Sequence, residues 1–256
     1  VFIYGLHMGV KGAALATVIC YFTSFLMWVI FINKLSVQKL KKPEIDFKII
    51  KNIIALGIPM LLQLGSISIL FALINKVLSL NGGTLGINTF AYVSKILSFA
   101  IVPFNAVATA ISPIISYNHG AMAIKRINKT FNSSIIICEA YAVLGLIFAF
   151  ALSGSILKIF TDDAQIINQG TQALKALSFA MPFLPVKLIS GTYFQAMEQK
   201  TNAIISNSLL LIFALVSIII FTAVWGIQTI YFSISAACIL SCTVSVIIKA
   251  KGRKQL

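Results

Sequence analysis

The chain has 256 residues, of which 59% are hydrophobic and only 10% charged, with a mean hydropathy of +0.98. A soluble domain carries about 25% charged residues, so this composition excludes a water-soluble enzyme, a secreted disulfide scaffold and a disordered chain. The 20 Lys and Arg outnumber the 6 Asp and Glu, for a net charge of +14; they sit between long apolar runs and so read as membrane-flanking anchors, not as a nucleic-acid footprint.

The opening "VFIYGLHMGVKGAALATV" has no basic n-region and no cleavage site, so no signal peptide is expected, and Val1 in place of Met reads as a chain whose front is missing. A spanning helix needs about 20 mostly apolar residues to cross about 30 Å of hydrocarbon. On that basis seven spans are predicted, over residues 12–32, 53–80, 86–117, 131–157, 169–198, 202–224 and 227–248. Their apolar runs are continuous, not alternating, which points to helices and away from barrel strands. The expected fold class is all-α, a polytopic transmembrane bundle.

Between the first two spans, "NKLSVQKLKKPEIDFKIIKN" reads as a basic tethering linker or a surface-lying amphipathic helix, with Pro43 as a stop. The expected organisation is a single helix over 1–33, the linker over 34–52, a six-helix body over 53–250 and a basic tail over 251–256. Further on, the connections "NGGTL", "TDDAQ" and "WGIQ" are short, and Gly82, Gly83 and Gly226 suit tight turns. One set of alternate loops holds Lys34, Lys39, Lys41, Lys42, Lys48, Lys51, Lys125, Arg126, Lys129 and Lys200, together with the tail lysines and arginine; the opposite set holds only Lys11 and Lys158. The positive-inside rule then puts the first helix entering from outside and the C-terminus in the cytoplasm of a multi-pass inner- or plasma-membrane protein.

Proline frees a backbone carbonyl and bends a helix. Pro59 falls at the start of the second span, while Pro103 and Pro113 are expected to interrupt the third and Pro182 and Pro185 the fifth. Such bends are either static kinks or the broken helices of a transporter. Ionisable residues inside a span are costly and therefore site candidates. Lys187, Lys95 and Glu139 lie well inside their spans, whereas Lys76 and Lys175 lie near span ends and can snorkel. The polar residues Gln63, Ser66, Ser68, Asn75, Tyr92, Asn105 and Gln195 either line a cavity or make interhelical hydrogen bonds.

No zinc site or disulfide is expected of Cys20, Cys138, Cys238 and Cys242, which form no close pair; Cys238 and Cys242 suit small-residue packing on one helix face. His7 and His119 are far apart, and Asp162–Asp163 reads as a solvated pair ahead of a helix, favouring its positive end. The chain has no GxSxG, HExxH, GxxxxGK[ST] or GxGxxG motif, so the residues for hydrolase, zinc-protease, ATPase or dinucleotide chemistry are missing. No enzyme activity, metal or cofactor is expected, and any transport would draw on an ion gradient.

"PIISYNHGAMAIKR" over 113–126 resembles the signature that ends the eighth helix of multidrug and toxic compound extrusion (MATE) transporters. "GVKGAALATVI" resembles the opening of the family's sixth helix and "IALGIP" the start of its seventh; "IFTDD" is similar to the loop after its ninth, and "YFQAMEQK" to the end of its tenth. The resemblance implies twelve helices in two lobes and exchange of Na⁺ or H⁺ for organic, often cationic, compounds. This chain would then be the last helix of the first lobe plus the second lobe. Its partners would be membrane lipids, small organic substrates and the N-terminal lobe of the same parent, with no nucleic acid.

Several departures from the family stand out. The Glu that sodium-coupled members carry in the seventh helix has no counterpart in 61–71, and their tenth-helix Asp falls near Val186 and Lys187. Glu198 or a neighbour stands where the family often has Gly, and the eleventh-helix Arg and Pro are absent from 206–215. The coupling-ion site is therefore expected in the missing lobe, with Gln63, Asn75, Tyr92, Lys95, Asn105, Lys187 and Gln195 as cavity candidates and Glu139 as an intramembrane charge. The alternatives are a lipid or lipid-linked oligosaccharide flippase of the same superfamily, and a non-transporting membrane fragment.

Overall fold

The computed structural model describes residues 2, 5, 7–35, 46–81 and 83–252. Among them the regular structure is helical throughout: α1 (Gly9–Leu35), α2 (Phe47–Asn81), α3 (Gly83–Gly120), α4 (Ile124–Lys158), α5 (Ala164–Ser178), α6 (Leu184–Ala196), α7 (Lys200–Trp225) and α8 (Ile230–Gly252), with a 3-10 turn over Ile227–Thr229. The chain divides into two units, Val1–Phe47 and Lys48–Leu256. The middle of the basic segment, with Lys39, Lys41, Lys42 and Pro43, lies outside the described residues, as do Gly82 and the last four residues. The end of that segment is helical, since α2 already begins at Phe47.

In the first unit, α1 exposes Ile19, Tyr21, Phe22 and Met27 around its circumference, as expected of a helix made for lipid or for other helices. Its Thr17 and Thr23 hydroxyls donate back to the carbonyls of Ala13 and Ile19 at 3.0 and 2.8 Å, so they meet an apolar medium already satisfied.

The second unit is a bundle of α2 to α8. Leu70, Ile74 and Leu78 form an i, i+4 stripe on α2 that is buried with Phe90 of α3 and with Ala214 and Ile218 of α7. Another cluster joins Phe104 and Ile115 of α3 to Ile127 and Phe131 of α4 and to Ile189 and Phe194 of α6. Outside these clusters, α4 exposes Ile136, Ile137, Ile147 and Phe148, and α7 exposes Ile212, Val216 and Ile219. A soluble protein rarely tolerates apolar patches of that extent; here they form the lipid-facing surface. Among the described residues, six helices (α1 to α4, α7 and α8) are each long and apolar enough to cross a membrane.

The span expected over 169–198 is instead two short helices, α5 and α6, separated by Phe179–Phe183. Pro182 explains the break, because a proline ring clashes with the carbonyl four residues back, and four back from Pro182 is Ser178, the last residue of α5. The chain tightens there into i−3 bonds, Ala180 N to Leu177 O at 3.0 Å and Met181 N to Ser178 O at 2.9 Å. That leaves the Ala176 carbonyl without its usual donor, and Ser235 Oγ of α8 supplies one at 2.7 Å. Neighbouring helices thus re-satisfy the freed backbone, as membrane burial requires.

The two pieces still make one pass. Gly170 lies against Leu157, the Phe150 and Phe179 rings are 5.3 Å apart, and so are the Phe131 and Tyr193 rings; α5 and α6 therefore run antiparallel to α4 along its length. Pro103 and Pro113, by contrast, lie inside an unbroken α3, and Pro59 inside an unbroken α2. The interruption expected in the third span is absent because long helices retain a proline where packing holds both sides of it: Phe104, Ile111 and Ile115 around the α3 prolines are all buried.

Two corners of the bundle are built alike. After α3, Met122 N bonds His119 O and Ala123 N bonds Asn118 O; after α6, Glu198 N bonds Gln195 O and Gln199 N bonds Phe194 O. Both are Schellman-type caps, whose left-handed residue is usually Gly, yet Met122 has φ 53° and Glu198 φ 56°. A side chain in that region costs roughly 1–2 kcal/mol, partly offset by the greater freedom that Gly has when unfolded. Glu198→Gly is expected to stabilise the protein by about 0.5–1 kcal/mol, read as a higher melting temperature in detergent; a lower one would refute the cap assignment.

Candidate functional site

The faces that α2 and α3 turn inward follow helical periodicity: Gln63, Ile67, Leu70 and Ile74 on one, and Ser94, Ser98, Ile101 and Asn105 on the other. With α5, α6, α7 and α8 they enclose a cavity of about 240 Å³, apolar over most of its wall, with Phe71, Phe90 and Phe104 among its lining. Such pockets typically combine an apolar wall with a few placed polar groups; here these are Gln63, Ser94, Ser98, Asn105 and Lys187. Ser98 Oγ donates to Ser94 O at 2.7 Å and Ser94 Oγ to Ala91 O at 3.0 Å, so both hydroxyls spend their protons on their own helix and keep lone pairs to offer.

Lys187 owes its place to the break. Pro185 is the second residue of α6, and Lys187 follows in the same first turn, 4% exposed, bordering the cavity beside Cys238 of α8. Cys238 is held close to the broken stretch of chain, its Sγ 4.0 Å from Ala180 O. The N–H groups of Phe183, Leu184 and Lys187 are already bonded within the turn, so the side chain, not a bare helix end, is what α6 presents.

Of the expected cavity residues, the structure brings together Gln63, Asn105 and Lys187. The rest are elsewhere. Asn75 and Lys95 are exposed on α2 and α3, and Tyr92 is half-buried against the cluster of Val93 and Leu174. Gln195 stands at the end of α6, with its Nε2 buried and without a partner. Glu139 is half-buried on α4 near Cys242, its Oε1 also without a partner. Ser66 is buried and Ser68 bonds its own helix at Leu64 O, 3.3 Å away. Ser94, Ser98 and Cys238 were not singled out as site residues, although the first two share with Asn105 a helix-face spacing visible in the sequence.

Around the cavity the helices are tied by polar bonds. Asn207 Nδ2 of α7 donates to Pro59 O of α2 at 2.9 Å, and the Ser206 and Ser245 hydroxyls meet at 2.9 Å between α7 and α8. At one end, Lys249 Nζ lies 2.7 Å from the centre of the Phe131 ring and 4.9 Å from that of Tyr193, a cation–π contact joining α8 to α4 and α6. Asp163 caps α5, its carboxylate accepting from Gln165 N at 2.8 Å and Ile166 N at 3.3 Å. Among the described residues no group of three His, Cys, Asp or Glu side chains is placed to hold a metal ion.

The MatE family model matches residues 59–220. Multidrug export protein MepA of Staphylococcus aureus is 27% identical over 248 residues, covering 93% of this chain and 53% of MepA. Probable multidrug resistance protein YpnP of Bacillus subtilis is 21% identical over 211 residues, covering 80% of this chain and 46% of YpnP. The chain thus spans about half the length of the curated relatives it matches. Among solved structures, a variant of the Vibrio cholerae MATE transporter VcmN superposes with a TM-score of 0.91 at 16% identity, over 100% of this chain and 58% of that one. A multidrug resistance MATE family transporter in an outward-facing conformation gives 0.87 at 21%, over 100% and 59%. These likenesses are of fold.

Proposed function

Because this chain belongs to the MatE family, we propose that it supplies the last helix of the first lobe and the second lobe of an ion-coupled antiporter that exports organic compounds across the cell membrane by alternating access. The family is one of transporters, not enzymes, and the chain is a multi-pass membrane protein. The carrying observation is the pass broken at Phe179–Phe183 in the wall of a largely apolar cavity. Discontinuous helices beside a binding cavity are how many transporters combine a site with a movable wall. An apolar wall with few polar groups suits cargo of varied shape, held by burial more than by specific bonds.

In this reading α1 closes the first lobe, the basic segment tethers it to the second, and the N-terminal lobe of the same parent supplies the opposite wall. The coupling ion is Na⁺ or H⁺. No Asp or Glu borders the cavity, which supports a coupling carboxylate in the other lobe. Lipids and small organic molecules are the partners, with no nucleic acid.

Dye efflux from everted vesicles bearing the full-length protein tests this, with Na⁺ and H⁺ gradients imposed one at a time. Efflux is expected with one gradient and not without; efflux that ignores both would reject ion coupling, and none under either would reject export. Topology is checked by Arg126→Cys in a cysteine-free background. Labelling by an impermeant thiol reagent is expected from the cytoplasmic face, and labelling from outside would reverse the assignment.

A further inference from the structure

Lys187 is a primary amine almost wholly removed from solvent, with only 4% of the residue exposed. Among the described residues none forms an ion pair with it; its electrostatic neighbour is Cys238. A buried charge without a counter-charge is among the costliest features a protein can carry, and within a membrane such a group marks a functional site by default. Glu139, the acid of the neighbouring span α4, lies near Cys242, one helical turn along α8 from Cys238. The cavity that Lys187 borders has no Asp or Glu in its wall, and its remaining polar groups are amides, hydroxyls and the Cys238 thiol. The wall that this chain supplies offers an organic cation no opposite charge.

We infer that this cavity is an anion-selective site: it takes an amphipathic organic anion whose carboxylate or sulfonate supplies the counter-charge to Lys187, while its apolar frame lies along Phe71, Phe90 and Phe104. Gln63 and Asn105 stand on the opposing helices α2 and α3 and have amide N–H groups to donate to the same oxygens. The aromatic rings offer faces and edges to an aromatic frame. The inference rests on the reading of this cavity as the exporter's substrate site, and it reverses the charge of cargo that the sequence resemblance implies.

The test compares two probes of similar shape and opposite charge, 2-naphthoate and 2-naphthylmethylammonium, titrated by fluorescence anisotropy against the full-length protein in nanodiscs of uncharged phosphatidylcholine. The expected result is about tenfold or more tighter binding of 2-naphthoate, the scale of one charge-assisted hydrogen bond. Lys187→Met is expected to erase the preference and Lys187→Arg to keep it. Cys238→Asp, which places an internal carboxylate beside Lys187, is expected to erase it without removing the amine, and it decides the matter if Lys187→Met does not fold. Equal binding of the two probes by the unaltered protein, or a preference that survives Cys238→Asp, overturns the inference. Anion binding without gradient-driven efflux would sink the exporter reading and leave the site standing; efflux without anion preference would do the reverse.

Discussion

Replacing Pro182 and Pro185 together by Ala is expected to cut efflux by about tenfold or more while leaving the amount of folded protein unchanged or higher. Proline inside a helix costs about 3 kcal/mol, so with both removed the chain over Phe179–Phe183 is free to wind on from α5 into α6. Each residue taken into the helix rotates the rest of α6 by about 100°, which swings Lys187 away from the cavity and from Cys238. Ala180 N then bonds Ala176 O, which now shares its lone pairs between that amide and Ser235 Oγ. Stability and function are predicted to part company: melting temperature steady or raised, transport lost. Efflux at the unaltered rate would show that the break is a static kink.

Gly191→Val should produce the largest loss of stability among conservative-sized changes. A Cβ added at Gly191 would stand 2.7 Å from Asn207 Oδ1, and Asn207 is buried, with its amide committed to Pro59 O. Relief requires moving Asn207 and giving up the tie between α7 and α2. Overpacking costs about 1–3 kcal/mol and the interhelical hydrogen bond about 0.6 more on average. The sum corresponds to a fall in melting temperature of about 5–10 °C, measured by thiol-reactive dye uptake at the buried Cys138, Cys238 and Cys242. A shift under about 2 °C would mean that α6 and α7 are not packed at this glycine. Asn207→Ala with Gly191→Val should be less damaging than the sum of the two, because they share one contact.

Much of the fold was legible because hydrocarbon imposes a single scale. Runs of about 20 apolar residues located α1 to α4, α7 and α8 within a few residues at most ends, and the MATE resemblance read from "PIISYNHGAMAIKR" agrees with the family match over residues 59–220. Prolines were less uniform. Pro182 broke its helix and Pro103 did not, and composition alone does not separate them: α3 is held by the buried Phe104, Ile111 and Ile115 around its prolines, whereas at Pro182 the chain tightens and Ser235 meets the freed Ala176 carbonyl. The same limit applies to the cavity. Gln63, Asn105 and Lys187 share its wall, whereas Asn75, Tyr92, Lys95 and Gln195 do not. Polarity within a span marks a residue as unusual, but the face it occupies depends on helix rotation, which only packing fixes. Ser94 and Ser98 were hidden for the opposite reason, being small and ordinary in a membrane helix.

The paired caps after α3 and α6 have a mechanical corollary. Ser116 Oγ reaches Ala196 O at 3.2 Å, so the two elbows sit side by side at one end of the bundle, each clamped by the same bonding scheme. That end is cross-tied between α3 and α6, and the break at Phe179–Phe183 lies apart from it, partway through the bundle. Among the described residues the one buried lysine therefore stands beside that break and not at the cross-tied edge.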